Sequence, residues 1–102
     1  MIKFALFVRL EAKPGKEAEA EQFLHAGLAM ANDEPTTPIW FALKLGPSSF
    51  AIFDAFHDEA GRQPHLTGPI AKALMAKAPE LFANAGSLKI ESIDVLGLKN
   101  RV

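Results

Sequence analysis

The sequence predicts an α+β fold, because four runs of alternating apolar residues and two stretches of helical periodicity follow one another as strand, helix, strand, strand, helix, strand. That order is the ferredoxin-like βαββαβ arrangement, a four-stranded antiparallel sheet with both helices on one face. All 102 residues, 1–102, fit one domain. At that length folding buries roughly 65% of the surface of the unfolded chain, enough for one core.

In the first strand Ile2, Phe4, Leu6, Val8 and Leu10 form one face, and Lys3, Ala5, Phe7, Arg9 and Glu11 the other. Lys13-Pro14-Gly15 is turn chemistry, since proline fixes φ and glycine takes positive φ without strain. A helix follows, with Ala20, Phe23, Leu24, Gly27, Leu28 and Ala31 as its apolar stripe and Glu17, Glu21 and His25 opposite. Asn32-Asp33-Glu34-Pro35 stops it, because a proline disfavours the α region for the residue before it. The second strand runs from about Pro38 to Leu45. Ile39, Phe41, Leu43 and Leu45 share one side, and Trp40, Ala42 and Lys44 the other. Gly46-Pro47-Ser48-Ser49 turns it into the third strand, making a hairpin.

In residues 50 to 66 the period changes from two to helical. Phe50, Ile52, Asp54 and Phe56 lie on one strand face, with Ala51, Phe53, Ala55 and His57 on the other. Asp58 is placed to cap a helical turn that Pro64 ends or kinks. Thr67 is the expected cap of the next helix, with Pro69 at an early position. Leu66, Ile70, Ala73, Leu74, Ala78, Leu81 and Phe82 are its buried stripe, Pro79 is a kink or a division, and Gly86 is the expected cap. Residues 87 to 97 form the last strand, whose alternation slips between Ile90 and Ile93; a bulge is one explanation of the slip.

Two helices cover one side of the sheet, yet Ala5, Phe7, Trp40, Ala42, Ala51, Phe53 and Ala55 are assigned to the other. An apolar face of that size predicts a homodimer whose sheets pack together through Phe7, Trp40 and Phe53, a dimeric α+β barrel.

Composition narrows the function. A formal net charge of −1 with scattered Lys and Arg gives no basic stripe, so nucleic acid is not an expected partner. No cysteine is present, which removes disulfides, thiol nucleophiles and thiolate-bound metals. Three histidines without close spacing make no metal set, and no glycine-rich phosphate loop or dinucleotide fingerprint exists, so no metal and no cofactor are expected. No apolar run approaches the roughly 20 residues of a membrane span, and alternation begins at once after Met1. A soluble, cytoplasmic protein is the expectation, without membrane contact.

An acidic residue on the third strand, an aromatic two positions later and a His-Leu pair after a short helix are here Asp54, Phe56 and His65-Leu66. With Ala12 to Glu17, Phe23 and Trp40, the sequence resembles the antibiotic biosynthesis monooxygenase family over nearly its full length. That family more often has Glu and Trp where this chain has Asp54 and Phe56. The resemblance implies oxygenation of a small aromatic such as a quinol, anthrone or polyphenol without metal or flavin. His65 and Asp54 would be catalytic, and Phe4, Val8, Trp40, Ile52, Phe56, Leu66, Ile70 and Leu74 would line the ligand. A haem-degrading branch of similar proteins uses side chains at positions that here are Val8, Pro64 and Leu74, so that activity is not expected. There is no tyrosine to take part in anthrone oxidation.

Two readings stand for each polar candidate. His65 is either a base for a phenolic proton or a helix-start histidine bonded to a carbonyl. Asp54, set among apolar neighbours, orients His65 or substrate, or else pairs with Arg9, Arg62 or a lysine. His57 is expected to be solvated or interfacial, and His25 has no role. The alternative to an enzyme is a non-catalytic barrel, binding a small molecule or associated with stress. The enzyme reading calls for an enclosed cavity of a few hundred cubic ångströms beside His65.

Overall fold

The computed structural model describes residues 2–99. Its elements are β1 (Phe4–Glu11), α1 (Glu17–Asn32), β2 (Ile39–Lys44), β3 (Ser49–Phe56), α2 (Glu59–Thr67), α3 (Pro69–Leu81), a 3-10 turn (Ala85–Ser87) and β4 (Ile90–Asp94). The antiparallel sheet has the order β2-β3-β1-β4, as the βαββαβ reading requires. The helical layer contains three helices, because the second helical stretch divides at Gly68. A Cβ there would stand 2.9 Å from the Pro64 carbonyl oxygen, so only glycine lets α3 start so close to α2.

The predicted turn at Gly15 is present, with φ +84. Val8, Leu10, Phe50 and Ile52 of the sheet meet Ala20 and Leu24 of α1 and Leu74, Ala78 and Leu81 of α3 in the main core. Phe82, just past α3, completes it. Leu28, expected in the stripe, lies on its flank and is exposed, while Gly27 is buried.

Other expectations at helix ends need correction. Pro64 does not end α2, which continues to Thr67, and Pro79 does not divide α3, inside which it lies. Each proline forfeits one backbone hydrogen bond, which a helix held by packing tolerates. Gly68, not Thr67, precedes α3, and the Thr67 hydroxyl faces back to the Pro64 carbonyl. Gly86 caps no α-helix; α3 stops at Leu81 and Gly86 sits in the 3-10 turn.

The register also corrects the assignment of faces. Residues paired across a ladder share a face, and Trp40 pairs with Asp54 while Phe41 pairs with Phe53. Trp40 and Ala42 therefore face the helices, not the open side. Ile39, Phe41 and Leu43 take their place beside Phe7 and Phe53. Alternation within one strand says which residues go together, but the hairpin register decides which side they face. β4 is shorter than expected and pairs with β1 without a bulge from Val8↔Ile90 to Phe4↔Asp94. The apparent slip arises because Ile90 faces the core and Ile93, opposite Ala5, faces the open side. Ile2 precedes β1 and packs with Ala5 and Ala55 rather than with Leu6.

Beyond Val8 the β4 side of β1 is completed by the segment after α3. Asn84 accepts from the Glu11 amide and donates to the Arg9 carbonyl, each at 3.0 Å. Among the described residues no helix is long and apolar enough to cross a membrane.

Candidate functional site

Asp54 reaches the helix side of β3 by alternation, and His65 reaches the same place from the last turn of α2. Asp58 fixes the start of that helix: its Oδ1 accepts from the Gly61 amide at 2.9 Å, the cap expected from sequence. Gly61 and His65, one turn apart, form the buried side of α2. A Cβ on Gly61 would lie 3.0 Å from the Thr36 carbonyl oxygen, so the missing side chain lets α2 approach the connection between α1 and β2. That approach brings His65 to Glu34.

The imidazole is held from both sides. Nε2 lies 2.7 Å from Oδ2 of Asp54, and Nδ1 lies 2.8 Å from Oε1 of Glu34. The side chains of His65, Asp54 and Glu34 are 7%, 3% and 15% exposed, so the cluster is buried with Glu34 at its outer end. The Thr37 hydroxyl donates to the same Glu34 oxygen at 3.1 Å, and the Phe56 ring centre lies 5.4 Å from that of the imidazole.

Burial alone would push the His65 pKa down. The hydrogen bond and charge of Asp54, followed by those of Glu34, outweigh it and hold the pKa above the ordinary 6.5. With both ring nitrogens donating, Asp54 keeps Oδ1 without a protein partner; Oε2 of Glu34 and Nε1 of Trp40 are also buried and unpartnered.

A cavity of about 40 Å³ adjoins Asp54 and His65, walled by Val8, Ile52, Leu66, Ile70 and Leu74 among others. A second, of about 30 Å³, lies by Trp40, Phe23 and Gly27 and shares Ile52, Ile70 and Leu74 with the first. Six of the eight residues expected to line a ligand thus surround these two spaces. Phe56 instead packs on the imidazole, and Phe4 lies under the Arg62 guanidinium at 4.9 Å, with neither in a cavity wall. The expected space of a few hundred cubic ångströms is not open beside His65: about 40 Å³ admits a hydroxyl or a water, not a ring.

Of the open alternatives, the geometry pairs Asp54 with His65 rather than with Arg9, Arg62 or a lysine; Arg62 bonds to Glu59. His65 is bonded to side-chain carboxylates at both nitrogens. Glu34 and Thr37 were missed as site residues. Glu34 lies in a segment that reads as a helix stop, and its contact with His65 spans 31 positions. His25 and His57 are exposed. Among the described residues no group of three or more His, Cys, Asp and Glu side chains could hold a metal ion. The two carboxylates meet opposite nitrogens of one ring, so the donors do not converge.

Comparison with solved structures gives the chain relatives. A protein of unknown function from Nitrosomonas europaea is 55% identical, covering 100% of this chain and 97% of that one with a TM-score of 0.93. Another structure from the same organism, described as a "putative antibiotic biosynthesis monooxygenase", is 14% identical over 92% of this chain and 90% of its own, with a TM-score of 0.79. A Caulobacter crescentus structure with the same description is 18% identical over 94% and 92%, with a TM-score of 0.77. At such identities the likeness is one of fold. No protein-family model and no curated protein matches the chain.

Proposed function

We propose, for a chain that belongs to one family with the Nitrosomonas europaea protein of unknown function and has the antibiotic biosynthesis monooxygenase fold, that Asp54 takes a proton from a small aromatic hydroxyl compound and so starts its oxygenation. The observation that carries this reading is the free Oδ1 of Asp54 in a carboxylate whose other oxygen is fixed by His65. His65 has no ring nitrogen left to accept a proton, so the base is Asp54 and His65 is its donor partner.

A quinol- or anthrone-type O–H gives its proton to Oδ1, leaving an electron-rich anion. That anion supplies the electrons that reduce dioxygen, and a carbon–oxygen bond forms to give a peroxide, which takes up the proton from Asp54. Loss of water then breaks the O–O bond and leaves one oxygen in the product as a carbonyl. The electrons come from the substrate, so the sequence balances without a cofactor. Entry of a ring requires α2 and α3 to move away from the sheet at Leu66, Ile70 and Leu74, the residues that leave only about 40 Å³. The open sheet face bearing Phe7, Phe41 and Phe53 packs on a second copy, giving a homodimer.

The small cavity favours a second reading, in which the barrel binds a small molecule without turnover. Oxygen uptake with a panel of quinols and anthrones separates the two. The enzyme reading expects uptake that Asp54→Asn abolishes in a folded dimer, whereas saturable binding without consumption supports the second. Uptake unchanged in Asp54→Asn refutes the role of Asp54.

A further inference from the structure

Glu34 comes from neither element that carries the pair Asp54 and His65, yet it closes the far side of the imidazole at 2.8 Å. A neutral imidazole has one donor and one acceptor nitrogen and cannot serve two ionised carboxylates. If Asp54 were the sole partner, His65 could donate through Nε2 while neutral, with a bare lone pair on Nδ1. The Glu34 oxygen facing Nδ1 disfavours that form, because two lone pairs would then oppose each other across a hydrogen-bond distance. The Thr37 hydroxyl, donating to Oε1, holds the carboxylate in place.

We infer that Glu34 is a positioning residue, which keeps His65 a donor on both sides and thereby keeps one oxygen of Asp54 fixed and the other open to a ligand hydroxyl. This rests on the reading of Asp54 as proton acceptor and extends it to the connection between α1 and β2. A ligand that moves that connection would change the charge of the site. Among the described residues, β3 presents Asp54 and the Phe56 ring, the connection presents Glu34 and the Thr37 hydroxyl, which lies 3.4 Å from Nδ1, and α3 adjoins the cavity with the apolar Ile70 and Leu74. On α2 itself, Arg62 is engaged with Glu59, and Asp58 with the Gly61 amide.

The test is the titration of His65 itself, followed through the ring nitrogens by proton–nitrogen correlation spectra of the full chain without ligand. Glu34→Gln keeps an acceptor for Nδ1–H and removes the charge. It is expected to lower the proton affinity of His65 by about tenfold or more, a midpoint shift of at least one pH unit. Glu34→Asp retains the charge at a greater reach and is expected to shift the midpoint less, in the same direction. A midpoint unchanged from wild type in folded Glu34→Gln overturns the inference; should that variant not fold, an unchanged midpoint in folded Glu34→Ala, which likewise removes the charge, does so equally. A residue that merely packs would leave the titration where it was. Because no ligand is involved, a failure of this titration is distinguishable from a failure of the Asp54→Asn assay.

Discussion

Nε2 of His65 lies 2.7 Å from Oδ2 of Asp54, and both side chains are buried. Removing His65 strands the Asp54 carboxylate, and removing Asp54 leaves Nε2 of His65 buried without an acceptor while Glu34 still holds Nδ1; breaking such a buried pair costs about 3–5 kcal/mol. Asp54→Ala and His65→Ala are each expected to lose stability of that order in urea denaturation. The double substitution should cost clearly less than the sum of the two, since the second change removes a group already stranded. Strict additivity would show that the two side chains are not coupled.

The raised pKa of His65 makes stability depend on pH in a defined direction. In the unfolded chain the imidazole titrates near its ordinary 6.5, and in the fold it titrates higher. The folded state therefore holds its proton more tightly. The stabilisation is complete below the unfolded value and is lost as pH rises through the folded one. Unfolding free energy should decline from neutral pH into the alkaline range, and His65→Gln should remove that part of the decline. A wild-type value that stays level or rises over this window contradicts the assignment.

Gly61 is where the fold and the site depend on one atom. Alanine is ordinarily preferred to glycine inside a helix by about 1 kcal/mol. Here the new methyl group would stand 3.0 Å from the Thr36 carbonyl oxygen, a backbone atom that cannot rotate away. Gly61→Ala is expected to destabilise by about 1–3 kcal/mol through overpacking. It should also move α2 away from Glu34 and lower the His65 titration midpoint. A gain in melting temperature with an unchanged midpoint would show that the close approach is not required.

The sequence carried the order of elements and the cap at Asp58, since each follows from local chemistry, but it left Asp54 between His65 and a basic partner, because alternation fixes a side chain's face and not what meets it there. It did not carry the side of the sheet on which Trp40 lies. Strand parity groups Trp40 with Ala42 and Lys44, but the partner face is set by pairing with Asp54 across the hairpin. Ile93 posed the same problem in reverse: with Ile90 on the core face and Ile93 on the open one, apolar residues on both faces read as a slip in alternation, and the pairing with β1 shows an unbroken register. Glu34 was illegible for another reason. Its role depends on the absence of a side chain at Gly61, which no periodicity reports.

The corrected face leads to a prediction about assembly. Phe41 is 54% exposed beside Phe53, with ring centres 6.4 Å apart, and Ile93 is exposed on the same side. A glutamate at position 41 would leave the main core untouched, because Phe41 points away from α1 and α3. Its charge would oppose burial against a second sheet, where desolvation of an unpaired carboxylate costs several kcal/mol. Phe41→Glu is therefore expected to convert a dimer to a folded monomer in light scattering, with its circular dichroism retained. Trp40→Phe, on the helix side, should leave the dimer intact and change the packing against Gly27. If Phe41→Glu remains a dimer, the open sheet face is not the interface; if wild type is itself a monomer at micromolar concentration, the second copy is excluded altogether.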